Sequence, residues 1–147
     1  MRTANEEAAH QVKTKTRSGP HGPRVLVIDD FPLVRKAIAL LLKREGFQVM
    51  EAAGGAEGIR LLRGTPLALI LTDLRMPDGS GWDVARAARQ ICPGLPVVLV
   101  TGDPDLAEAV PALRALVSAV IPKPVHPETL LQVVGNLAGL PEAEHRA

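Results

Sequence analysis

Five polar side chains fall where the apolar segments of this chain run out. Asp29 and Asp30 follow RVLVI, Asp73 follows LALILT, Thr101 follows PVVLV, and Lys123 comes two residues after VSAVI. Three carboxylates, a hydroxyl and an ammonium have chemical meaning if the fold brings them together. Two unit charges held about 4 Å apart, as Asp29 and Asp30 suggest, repel by roughly 4 kcal/mol at an effective dielectric near 20. A third carboxylate adds to that cost, and Lys123 offers one compensating charge. A few hard oxygen ligands with room for water suit Mg²⁺, which commonly takes one or two carboxylates plus phosphate oxygens. A carboxylate beside that cation can be a nucleophile toward phosphorus, giving an acyl phosphate. Cation and ammonium together would offset charge on a transferring phosphoryl group.

These residues meet only if the strands that carry them end on one edge. The apolar run 25–28 reads as a strand buried on both faces. Val34, Ala37, Ile38, Leu41 and Leu42 lie at helical spacing in 33–44, with Pro32 in the first turn and Gly46 as the stop. Residues 47–52 read as a second strand that ends without chemistry, and 55–63 as a short helix weakened by Gly58. Strands follow at 67–72, 96–100 and 117–121. Helices follow at 82–91, 104–115 and 127–137, and Pro111 should kink or shorten the middle one. Five strands alternating with five helices predict an α/β fold: a doubly wound parallel sheet with helices on both faces. In such sheets ligands bind outside the carboxyl ends of the strands, where all five polar residues fall.

The remaining sequence narrows the class. The 147 residues suffice for one domain of ordinary size. Aromatic residues make up 2%, so the core must be built from Leu, Val, Ile and Ala. A net charge of +1 gives no general reason to expect nucleic-acid or membrane binding. No apolar run approaches membrane-spanning length. The single Cys92 cannot form an internal disulfide and suits a reducing compartment, so a cytoplasmic location is expected. Residues 1–23, ending in SGPHGP, read as a disordered tail, 24–140 as the folded domain and 141–147 as a C-terminal tail. The four histidines are scattered without ligand spacing. Cys92 reads as an inert small apolar residue, and Trp82 as partly buried packing. The bland alternative for the three aspartates and Thr101 is helix N-capping; Asp73 lies too far before its helix for that.

The segments VLVIDD, LTDLRMPDGSGWDV, PVVLVTG and IPKPV resemble, as a set, the receiver domain of two-component response regulators, over about 24–140. The resemblance implies strand order 2-1-3-4-5 and Asp73 as the residue phosphorylated by a histidine kinase or phosphotransfer protein. It implies Mg²⁺ bound by Asp30 directly, by Asp29 through water, by Asp73, and by the backbone carbonyl of Arg75. Lys123 would contact the phosphoryl oxygens, and the Thr101 hydroxyl would move in to meet them. Such a protein is a switch read by a downstream protein, not an enzyme beyond its own phosphorylation and dephosphorylation. It would be a monomer or a phosphorylation-dependent dimer. Two positions depart from the family: Val120 replaces the usual aromatic three residues before the lysine, and Leu116 a usual glycine. Val120 cannot report movement of the threonine as an aromatic does, and Leu116, together with Pro111, predicts a different end to the fourth helix.

Competing readings are a receiver cut from a hybrid kinase or larger regulator and a constitutive pseudo-receiver. A third is a phosphatase of the haloacid dehalogenase type. Adjacent Asp29–Asp30 rather than Asp-x-Asp, with no length for a cap domain, disfavours the phosphatase. Intact Asp73, Thr101 and Lys123 disfavour the pseudo-receiver.

Overall fold

The computed structural model describes residues 18–19 and 22–139. Most of the expected disordered tail, and all of 141–147, lies outside the described residues. Ser18–Gly19 pairs antiparallel with Gly22 and Pro23, so part of the stretch read as tail joins the sheet. The first strand, β1, runs Gly22–Ile28 and starts three residues earlier than expected. The elements that follow are α1 (Pro32–Arg44), β2 (Gln48–Ala52), α2 (Gly55–Gly64), β3 (Leu69–Asp73) and α3 (Gly81–Ile91). Then come β4 (Val97–Thr101), α4 (Pro104–Glu108), α5 (Pro111–Arg114), β5 (Ala119–Pro122) and α6 (Pro127–Ala138).

The parallel pairs β2·β1, β1·β3, β3·β4 and β4·β5 give the order 2-1-3-4-5. β3 and β4 are buried along their whole length. Alternation along β1 sorts the core into two layers. Val25 and Val27 point to one face, packing with Ile38 and Leu42 of α1 and Leu130 and Val134 of α6. Leu26 and Ile28 point to the other, with Leu62 of α2 and Val84, Ala85 and Ala88 of α3. Burying an aliphatic side chain of this kind stabilises by about 1.5–3 kcal/mol, so a core nearly without aromatics suffices.

One expected helix is two. Pro111 lacks an N–H, and the residue before a proline is driven to extended backbone. Val110 accordingly sits at φ −119°, ψ 104°, and separates α4 from α5. At the C-terminus of α1, Gly46 takes φ +96° and its N–H donates to the Lys43 carbonyl, ending the helix where the sequence placed its stop.

Candidate functional site

The parallel register delivers the polar strand ends to one edge. Asp29 follows β1, and its N–H donates to Ala52 O of β2 at 3.1 Å. Asp73 and Thr101 are the last residues of β3 and β4. Lys123 follows β5, its N–H donating to Thr101 O at 2.8 Å, and the Lys123–Pro124 peptide is cis.

The side chains of Asp29, Asp30 and Asp73 converge, with one carboxylate oxygen from each lying within 4.8 Å of the others. Asp29 and Asp73 are buried, at 2% and 8% exposure. Lys123 Nζ lies 3.5 Å from Asp29 Oδ2 and 3.4 Å from Asp73 Oδ2. One ammonium thus serves two carboxylates and leaves the third. Asp29 Oδ1 accepts from Phe31 N–H at 2.9 Å, and Asp73 Oδ1 from Leu74 N–H at 2.8 Å. Asp30 Oδ1 is buried and has no hydrogen-bond partner among the described residues. A buried anionic oxygen without a donor is costly. An uncompensated oxygen beside two more carboxylates is the donor set a hard divalent cation takes.

The electrostatics of Asp73 follow from this crowding. Burial raises its carboxyl above the ordinary range and nearby Asp29 adds to that, against the opposing pull of Lys123 and the Leu74 N–H. None of the three aspartates caps a helix. Phe31 is the N-cap position of α1 and gives no side-chain cap, and α3 is capped by Ser80 in a reciprocal box with Asp83. Thr101 is not a cap either, since Asp103 caps α4.

Thr101 and Arg75 are placed differently from the acidic group. Thr101 is buried, and its Oγ1 accepts from Asp103 N–H at 3.0 Å. No hydrogen bond joins it to Asp73 among the described residues. The exposed Arg75 side chain reaches Asp103 Oδ2 at 3.4 Å. Cys92 does not pack as a small apolar residue: it is the C-terminal cap of α3 and exposed. Trp82 is partly buried against the core layer of α2 and α3, as expected.

Reading the strand ends alone misses Arg35. Its guanidinium donates to Asp29 O at 2.8 Å and pairs with Glu51 of β2 at 3.0 Å, with Lys36 at 3.2 Å from the same carboxylate. Burial alone would raise Glu51, but its bonds to Lys36 and Arg35 leave it below the ordinary range. The available signal was a cation in the second turn of the helix that follows the acidic pair.

The family model of the response regulator receiver domain matches residues 25–135. The chain belongs to that family. Transcriptional regulatory protein GlrR of Escherichia coli (strain K12) is 34% identical over 117 residues, which make up 79% of this chain and 26% of GlrR. This receiver thus spans about a quarter of that relative's length. A CheY-like response regulator receiver domain protein from Methanospirillum hungatei JF-1 superposes with a TM-score of 0.72 at 32% identity, covering 77% of this chain and 90% of that one. The receiver domain of sensor histidine kinase PA1611 from Pseudomonas aeruginosa PAO1 shares the fold at TM-score 0.72 and 22% identity, covering 79% of this chain and 97% of that domain. A magnesium ion is coordinated in the active site cleft of that domain. Among the described residues of this receiver, no helix is long and apolar enough to cross a membrane.

Proposed function

We propose that this receiver is a phosphorylation-controlled switch in which Asp73 takes a phosphoryl group from the phosphohistidine of a kinase or phosphotransfer protein. The observation that carries this reading is the convergence of Asp29, Asp30 and Asp73 around Lys123 at the strand ends. Asp73 Oδ2 would form the bond to phosphorus as the bond from phosphorus to the donor imidazole nitrogen breaks. Leu74 N–H holds the other oxygen and fixes the carboxylate plane. Lys123 Nζ, already 3.4 Å from Asp73, would shift onto the phosphoryl oxygens. Because Thr101 Oγ1 accepts from Asp103, its own proton is free to donate to the same group.

Asp29, Asp30 and Asp73, with the Arg75 carbonyl, are the residues that would hold Mg²⁺. The bound cation would neutralise charge on the transferring phosphoryl group. The orphaned Asp30 Oδ1 supports this assignment from the chain itself.

The donor must reach Asp73, so its contact surface must border Lys123. An apolar groove of about 840 Å³ between α1 and α6 does so, lined by Leu33, Leu40, Leu41, Lys123 and Val125. We assign it to the phosphohistidine donor. A protein partner reading the activated form fits the opposite side of the edge, where Leu106 and Val110 are exposed around the α4–α5 break. Val120 cannot act as an aromatic reporter. A free cysteine and a kinase as donor are compatible with exchange in the cytoplasm.

The test is phosphorylation by a small phosphodonor with Mg²⁺, followed by intact mass, with Asp73→Ala and Asp30→Asn alongside. The expected result is a phosphoryl adduct on the wild type, none on Asp73→Ala, and strongly slowed labelling of Asp30→Asn. A wild type that never gains the adduct would leave a constitutive binding module as the function.

A further inference from the structure

α2 has no side chain at its N-terminal cap: Gly54 occupies that position. The carboxylate that serves the helix comes from elsewhere. Asp78, in the loop after β3, accepts from Gly55 N–H at 2.9 Å. Gly54 passes so close that a β-carbon there would overlap the Asp78 carboxylate. The same helix is seated on β1, because a β-carbon at Gly58 would overlap the Ile28 side chain, and Ile28 immediately precedes Asp29. The first turn and a half of α2 therefore touches both halves of the acidic site. It meets the strand carrying Asp29 and Asp30 through Ile28, and the loop carrying Arg75 through Asp78.

We propose that Asp78 is a positioning residue for the metal-binding edge, holding the 74–80 loop against the glycine-lined N-terminus of α2. The spacing between the Arg75 carbonyl and the strand-end carboxylates is then fixed by a contact outside the acidic group. This rests on the Mg²⁺ reading above and deepens it. It also gives a reason for Gly54 and Gly58 beyond chain flexibility: each leaves no room for a side chain between α2 and what it holds. Outer-shell groups bonded directly to a ligand typically cost about 10–100-fold in metal affinity when removed, and Asp78, acting through the loop, belongs at the low end of that range.

The experiment is calorimetric titration of the full chain with Mg²⁺ alone, at physiological ionic strength. The variants are Asp78→Ala, Asp78→Asn and Gly54→Ala, each first checked for a cooperative thermal transition. Asp78→Ala should weaken Mg²⁺ binding by about tenfold. Asp78→Asn keeps an acceptor oxygen for Gly55 and should bind close to wild type. Gly54→Ala changes no charge but displaces the carboxylate, and should match Asp78→Ala. Two results would overturn the proposal while leaving the metal site standing. One is an Asp78→Ala that binds as wild type. The other is an Asp78→Asn as weak as Asp78→Ala beside an unaffected Gly54→Ala, which makes charge, not position, the cause. A wild type that binds no Mg²⁺ would overturn the metal reading itself, and this proposal with it.

Discussion

At the scale of residues, the acidic edge is held in a costly state. Asp73 is buried beside Asp29, and both effects raise its carboxyl above its ordinary value of 3.8. The folded protein therefore holds this proton more tightly than the unfolded chain does. Stability from this group is fully present below pH 3.8 and is lost as pH rises through the raised folded value. Asp73→Asn removes the penalty. At neutral pH the variant should unfold a few degrees above wild type, the scale of about 1 kcal/mol in a domain of this size. The gap should close as the pH falls below the ordinary carboxylate value. Thermal melts of both proteins across that range check it, and a variant less stable at neutral pH would show that the Lys123 pair outweighs burial. The acidic group was legible in the sequence because its members end apolar runs. Arg35 and Asp78 were not, since the groups they hold, Asp29 O and the Glu51 carboxylate for one and Gly55 N–H for the other, become neighbours only once helix, strand and loop have packed.

At the scale of elements, periodicity placed the strands and most helices because apolar residues recur at the period of the face they bury. Boundaries moved where hydrogen bonding, not hydropathy, decides. β3 keeps Asp73 within the strand since it pairs with Val100 of β4, although its side chain is charged. The 104–115 segment divides because Pro111 removes a donor that no apolar pattern can restore. The turn from β3 into α3 has no slack. A β-carbon at Gly81 would lie 2.6 Å from Asp73 O and 2.7 Å from the Leu99 side chain. The carbonyl belongs to a fully buried strand and cannot retreat. Gly81→Ala should therefore destabilise by about 1–3 kcal/mol, the usual cost of overpacking, despite alanine's better helix propensity. Urea unfolding with an unchanged m-value would check it. Equal stability would mean that the loop and α3 can shift together.

At the scale of the whole molecule, the sheet order puts chemistry on one edge and leaves the flank of α1 uncovered beside it. Phe31 and Leu33 are 62% and 86% exposed just after the acidic pair, and Leu40 is 52% exposed two turns on. Sequence periodicity put Val34, Ala37, Ile38, Leu41 and Leu42 on one face and left Leu33 and Leu40 outside it, but it carries no information on whether another element covers them. Only the packing of α6 shows which of them the fold leaves in water. If the donor docks there, a charge at Leu33 should separate two routes to one phosphoryl group. Leu33→Glu should leave stability within about 0.5 kcal/mol, as expected for a surface position. Phosphorylation by a small donor needs only the acidic edge and should proceed at the wild-type rate. Transfer from a phosphorylated histidine protein should slow by at least about tenfold, equivalent to about 1.4 kcal/mol of lost contact. Matched rate measurements with the two donors decide it. Equal slowing with both would place the damage in the site itself, and no slowing with the protein donor would place the docking surface elsewhere on the molecule.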